Sequence, residues 1–129
     1  MKPKILVIIC TLLFFSNGIA QSIPSSDSII IKINIPNVFT PAGHTPNEKF
    51  CVQKSDSSNI VKFEMKIYNR WGELLFVSDN INKCWDGKFK KKECPMDAYV
   101  FQISIDLFDQ VANRELNGYI YNGTVTLVR

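Results

Sequence analysis

The chain has 129 residues, with 15 Lys+Arg against 12 Asp+Glu, one histidine and a formal net charge of +3. That length holds one domain, and a hydrophobic share of 46% is enough to furnish its core. So slight an imbalance of charge gives no electrostatic case for binding nucleic acid or an anionic membrane.

The start of the chain reads as a secretory signal peptide over residues 1–20. Met1-Lys2-Pro3-Lys4 is a short basic segment, and residues 5–15 form an apolar run of signal-peptide length. Ser16-Asn17-Gly18-Ile19-Ala20 then supplies small residues for cleavage between Ala20 and Gln21. The apolar run is too short to span a bilayer comfortably. Lipid attachment at Cys10 is disfavoured, because Ile8-Ile9 is a poor small-residue approach to it. Loss of Lys2 and Lys4 leaves 13 basic residues (15 minus 2) against 12 acidic, a net charge of +1. Residues 21–28 are polar with one proline and read as a short linker ahead of a domain over 29–129.

Residues 29–35 alternate as a strand that Pro36 ends. Residues 37–48 hold Pro41, Gly43 and Pro46 and read as loop. A short strand over 50–53 and a turn over 55–59 lead to the central hairpin, 60–77. In its first strand Val61, Phe63, Met65 and Ile67 share one face, opposite Lys62, Glu64 and Lys66. Asn69 and Gly72 suit the reversal, with Trp71 expected to fold back over the sheet and Arg70 stacked or salt-linked beside it. Residues 79–95 form a long connection, in which Phe89 adds a brief strand and Lys88, Lys90, Lys91 and Lys92 make a solvated hairpin loop. Residues 98–107 alternate most clearly, 109–117 read as a hairpin connection, and 119–128 close the chain with a bulge or kink at Gly123. With no amphipathic helix and about seven short strands, the expected fold is all-β, an immunoglobulin-like antiparallel β-sandwich.

Once Cys10 leaves with the signal peptide, Cys51, Cys84 and Cys94 allow one bridge and one thiol. Cys84 and Cys94 flank a loop joining neighbouring strands and are the expected pair, with Cys51 buried in a strand. Catalytic chemistry finds no support. His44 lacks a paired serine or cysteine, Cys51 lacks an activating base, and the carboxylates are scattered singly. No zinc spacing is present. Asn47 and Glu48 alone are a thin oxygen set for calcium, so the 43–48 loop is read as structural and no metal is assigned. Asp86, ahead of Gly87, is expected to bond its own turn backbone. Asn122-Gly123-Thr124 matches the N-glycosylation pattern.

Several motifs recur in a fixed order: Pro36-Asn37-Val38-Phe39-Thr40-Pro41, Ile67-Tyr68-Asn69-Arg70-Trp71-Gly72, Trp85-Asp86-Gly87, Cys94-Pro95 leading to Tyr99-Val100-Phe101, and a terminal strand ending at Arg129. Together they resemble the gliding-motility-associated C-terminal domain, the type B sorting domain of the Bacteroidetes type 9 secretion system. In that family an Asn-Gly-Asp-Gly-type loop follows Phe-Thr-Pro; here Ala42 to Glu48 keeps only Gly43 and Asn47 of it. Ala98 stands where the family commonly has glycine. The resemblance implies a sandwich that serves as an address. After Sec export to the periplasm, outer-membrane translocon components would recognise the folded domain and release the protein or hold it at the cell surface. It implies no cofactor and no catalysis; neither nucleic acid nor a small-molecule substrate is expected as a partner. The rival expectation is a secreted binding or adhesion module that meets a cell-surface partner or glycan through Trp71, Trp85 and Tyr121.

Overall fold

The computed structural model describes residues 33–43, 46–54, 59–110 and 113–129. The expected signal peptide, its Ala20/Gln21 junction, the linker, residues 29–32, His44 and most of the 55–59 turn lie outside the described residues. The described chain forms nine strands: β1 (Ile33–Asn34), β2 (Val38–Phe39), β3 (Gln53–Lys54), β4 (Ile60–Tyr68), β5 (Leu74–Ser78), β6 (Lys88–Phe89), β7 (Lys92–Glu93), β8 (Ala98–Asp109) and β9 (Arg114–Leu127). No helix occurs among the described residues. The main sheet runs β2-β9-β8-β4-β5, while β1–β3 and β6–β7 form two small sheets. Pairing is antiparallel except at one edge, where β2 lies parallel to β9 through Val38 opposite Thr126 and Phe39 opposite Leu127. The expected all-antiparallel sandwich is corrected to that extent.

The core follows from strand periodicity. Tyr99, Phe101, Ile103, Ile105 and Leu107 of β8 are all buried, as are Phe63, Met65 and Ile67 of β4 and Val125 and Leu127 of β9. Successive side chains point to opposite faces, so each strand offers the same apolar face inward. The edge strand β2 adds Phe39, and the short strands and loops packed over this face carry Phe50, Val52, Trp85 and Cys94. Phe50 packs 5.4 Å from Phe101 and Trp85 stands edge-on to Tyr99 at 5.0 Å, centroid to centroid.

Three local features depart from the sequence reading. Val61 is 53% exposed rather than inward, because the register with β8 shifts between Ile60 and Lys62 and Val61 is the residue left over. The irregularity in β9 is not at Gly123 but at Gly118, whose φ of +88° accompanies a register shift opposite Asp106. Its N–H donates to the Asp106 carboxylate at 2.9 Å. Gly123 instead lies under the Phe101 ring: a Cβ there would meet Cζ at 2.6 Å, so its lack of a side chain makes room for the ring.

The disulfide is the third departure. Cys51 bonds Cys84, and Cys94 is a buried free thiol, so the expected Cys84–Cys94 bridge does not form. The cause is a non-local backbone pair. Phe50 and Trp85 exchange hydrogen bonds in both directions, at 2.8 and 3.1 Å, in an isolated antiparallel bridge. One step beyond such a pair, facing residues approach to about 4.5 Å between Cα atoms. Cys51 and Cys84 occupy that step, with a Cα separation of 4.7 Å. Cys94 is instead held by its N–H to the Gly87 carbonyl, and burial pushes its thiol pKa upward, leaving it a poor nucleophile.

Candidate recognition surface

The motif residues separate into a buried group and an exposed one. Phe39, Trp85 and Tyr99 are core aromatics. The Trp85 indole N–H donates to the Lys88 carbonyl at 3.0 Å, and Asp86 accepts the Lys88 N–H at 3.1 Å, as its place before glycine predicts. Gly87 takes a φ of +77°, and a Cβ on it would lie 2.9 Å from both Leu127 and Pro41 side chains. Around this turn the chain ends are tied in: Thr126 donates to the Asn37 carbonyl, Val128 to that of Phe39, and Thr40 to that of Asn47. Gly43 donates to the Thr40 carbonyl and so closes the loop after Pro41, while Pro36 is half-buried at its entry. The Tyr99 hydroxyl donates to the Pro95 carbonyl at 2.7 Å, in the manner of the tyrosine corner of β-sandwiches. Arg129 donates to the Cys94 carbonyl and lies 3.7 Å from Glu93.

The exposed group is the β4–β5 loop. Asn69 builds it: its side-chain oxygen accepts the N–H groups of Trp71 and Glu73, both at 3.0 Å, and its amide donates to the Glu73 carboxylate at 2.9 Å. Gly72, at φ +81°, completes the turn. Trp71 does not fold back over the sheet; held by this loop, it is 85% exposed. Arg70 is salt-linked as anticipated, but to Asp97, through a two-pronged contact. The Arg70 guanidinium, then the Ala98 N–H, hold the Asp97 carboxyl below its ordinary range. Because the folded-state value is depressed, the pair's stabilisation is present at neutral pH. It is lost as pH falls from about 3.9, the unperturbed aspartate value, through the lower folded one. Melting curves of the parent and Asp97→Asn should therefore differ at pH 7, and the gap should narrow as the pH is lowered below about 3.9; a gap unchanged by pH would show that the charge contributes nothing.

Beside this loop lies a cleft of about 350 Å³, with Trp71, Leu75, Phe89 and Tyr99 among its walls and Lys90 and Lys92 at its rim. The lysine cluster is a two-residue hairpin turn, as its sequence suggests, with Lys90 and Lys91 both in left-handed conformation, φ 50° and 66°. Asp97, Leu75 and the cleft itself escaped the sequence reading; the one usable signal was the need of Arg70 for an acid. Trp85 is buried and Tyr121 half-buried, so of the three aromatics expected to stack on a glycan only Trp71 is open. Among the described residues no group of three or more His, Cys, Asp and Glu is placed to hold a metal.

The all-β sandwich uses most of its polar motif residues to fasten loops and displays one exposed tryptophan beside a cleft. The sequence model of the type IX secretion signal domain, CHU_C, matches residues 33–122, and the chain belongs to that family. Membership makes it a sorting module for secretion or cell-surface export, in keeping with the resemblance carried by the ordered motifs. No curated protein and no solved structure matches the chain.

Proposed function

We propose that this domain is a non-catalytic address that outer-membrane components of the type 9 translocon read on the folded sandwich, after Sec export to the periplasm and cleavage between Ala20 and Gln21. The observation that carries the reading is the division of the motif residues. Trp85, Gly87, Phe39 and Tyr99 are consumed by the core, whereas Arg70 and Trp71 are presented outward on a loop that Asn69 fixes rigidly. A side chain as apolar as Trp71 gains nothing for folding at 85% exposure, but a partner that buries it recovers that area. The surface read by the translocon is therefore the Asn69–Gly72 loop with the Pro95–Tyr99 segment that Arg70 bonds across to.

The test is a reporter inserted between residues 28 and 29 of the full chain, expressed in a type 9-competent host and in the same host lacking the translocon. Surface exposure of the reporter, scored by protease added to intact cells, is expected in the first strain only. Periplasmic retention in both strains would refute the proposal and turn attention to ligand binding by the sandwich.

A further inference from the structure

The main sheet has two unlike edges. At one, β2 covers the end of β9. At the other, β5 pairs only with β4; its sequence, Leu74-Leu75-Phe76-Val77-Ser78, has no charge or proline, and the one device that blunts this edge is a bulge at Leu75, where the register shifts between Ile67 and Tyr68. Leu74 and Val77 are 42% and 49% exposed, and Leu75 of the same strand lines the cleft. An open hydrogen-bonding edge therefore runs alongside an apolar hollow.

The charges around that hollow are unevenly satisfied. Of its acids, Asp97 is taken by Arg70, Glu93 lies 3.7 Å from Arg129, and Glu73 accepts from the Asn69 amide. Its lysines, Lys90 and Lys92, have no acidic partner among the described residues, and Lys90 rests over the Phe89 ring at 5.0 Å. Lys90 and Lys91 also fill a turn whose positive φ values favour asparagine and glycine. Strained backbone of that kind gathers at sites of function.

We infer that the β5 edge and the adjoining cleft bind an extended, acidic segment of a partner protein, which adds a strand to β5. An apolar side chain of that segment fills the space between Trp71, Leu75, Phe89 and Tyr99, and its carboxylates meet Lys90 and Lys92. The unpaired edge is what favours a peptide over a glycan, since a sugar has no ladder of alternating donors and acceptors to offer it. The site deepens the sorting proposal by naming what kind of element the partner presents, and it rests on that reading only for the partner's identity.

The probe is a short capped peptide alternating glutamate with valine, titrated into the disulfide-bonded chain at low salt and followed by tryptophan emission. Trp85 is buried and Trp71 is 85% exposed, so a blue shift reports Trp71. Saturable binding is expected. It should weaken roughly tenfold or more in Lys90→Glu/Lys92→Glu, the scale of one or two lost charge-assisted contacts, and also when alternate peptide amides are methylated. The counterpart alternating lysine with valine should not bind. No binding, equal binding of the methylated peptide, or the same shift produced instead by an acidic oligosaccharide would each overturn the inference. The export assay fails or succeeds separately: export without peptide binding removes this site alone, and absence of export removes the sorting proposal whatever the peptide does.

Discussion

Replacing Cys84 by serine should cost the folded domain about 3–4 kcal/mol, the loop-closure value for a bridge spanning 33 positions. For a domain of this size that lowers the melting temperature by roughly 15–25 °C. Cys51→Ser should do the same, because each change removes the same bridge and neither thiol is buried. Cys94→Ser should cost less: Cys94 has no covalent partner and contributes only its packing in the core. Thermal melts of the three variants, with and without reductant, check the pattern. In reductant the parent should fall to the level of the Cys84→Ser variant, and that variant should not move. A low Cys94→Ser melt together with a Cys51→Ser melt near the parent would indicate the alternative pairing of Cys84 with Cys94.

The two tryptophans should respond in opposite ways to truncation. Trp85 is fully buried, packs against Phe39 and Tyr99 at 5.3 and 5.0 Å, and gives its indole N–H to the Lys88 carbonyl. Trp85→Ala empties the largest buried side chain and orphans a carbonyl, a loss of about 3–5 kcal/mol. Because marginal domains hold only about 5–15 kcal/mol, such a variant is near the limit of folding. Trp71 is 85% exposed, so Trp71→Ala should stay within about 0.5 kcal/mol of the parent. Denaturant melts of the two variants decide this, and a destabilised Trp71→Ala would mean that the loop braces the fold.

How much of this was legible in the sequence depended on the range of the interaction. β8 and the inner part of β4 were readable because alternation of Tyr99 to Leu107 and of Phe63 to Ile67 is a local signal, and the sheet obeys it. Val61 broke the same pattern, since a bulge is decided by the partner strand and leaves no mark on its own. The two-residue strands β1, β2, β3, β6 and β7 are too short to carry a period; β2 exists by pairing with β9 at the sheet edge, and the others pair β1 with β3 and β6 with β7 to satisfy backbone groups. The bridge between Cys51 and Cys84 depends on the distant pairing of Phe50 with Trp85, so counting residues between cysteines pointed to the nearer partner. Gly123 and Gly118 show the same limit. Both look like breaks in a strand, yet one yields space to Phe101 and the other turns the chain. At the recognition surface the Asn69 turn and the Arg70 salt link were foreseeable from residue type, whereas Asp97 as the partner and the outward pose of Trp71 required the fold.

The most direct measurement of the central claim is surface delivery of the reporter-bearing chain with Trp71→Ala and, separately, Arg70→Ala, each first shown to melt near the parent. Loss of delivery by folded variants in a translocon-competent host is the result predicted for a loop that is read by the export machinery. Delivery at the parent level by both would contradict it and leave the Asn69–Gly72 loop as an ordinary turn.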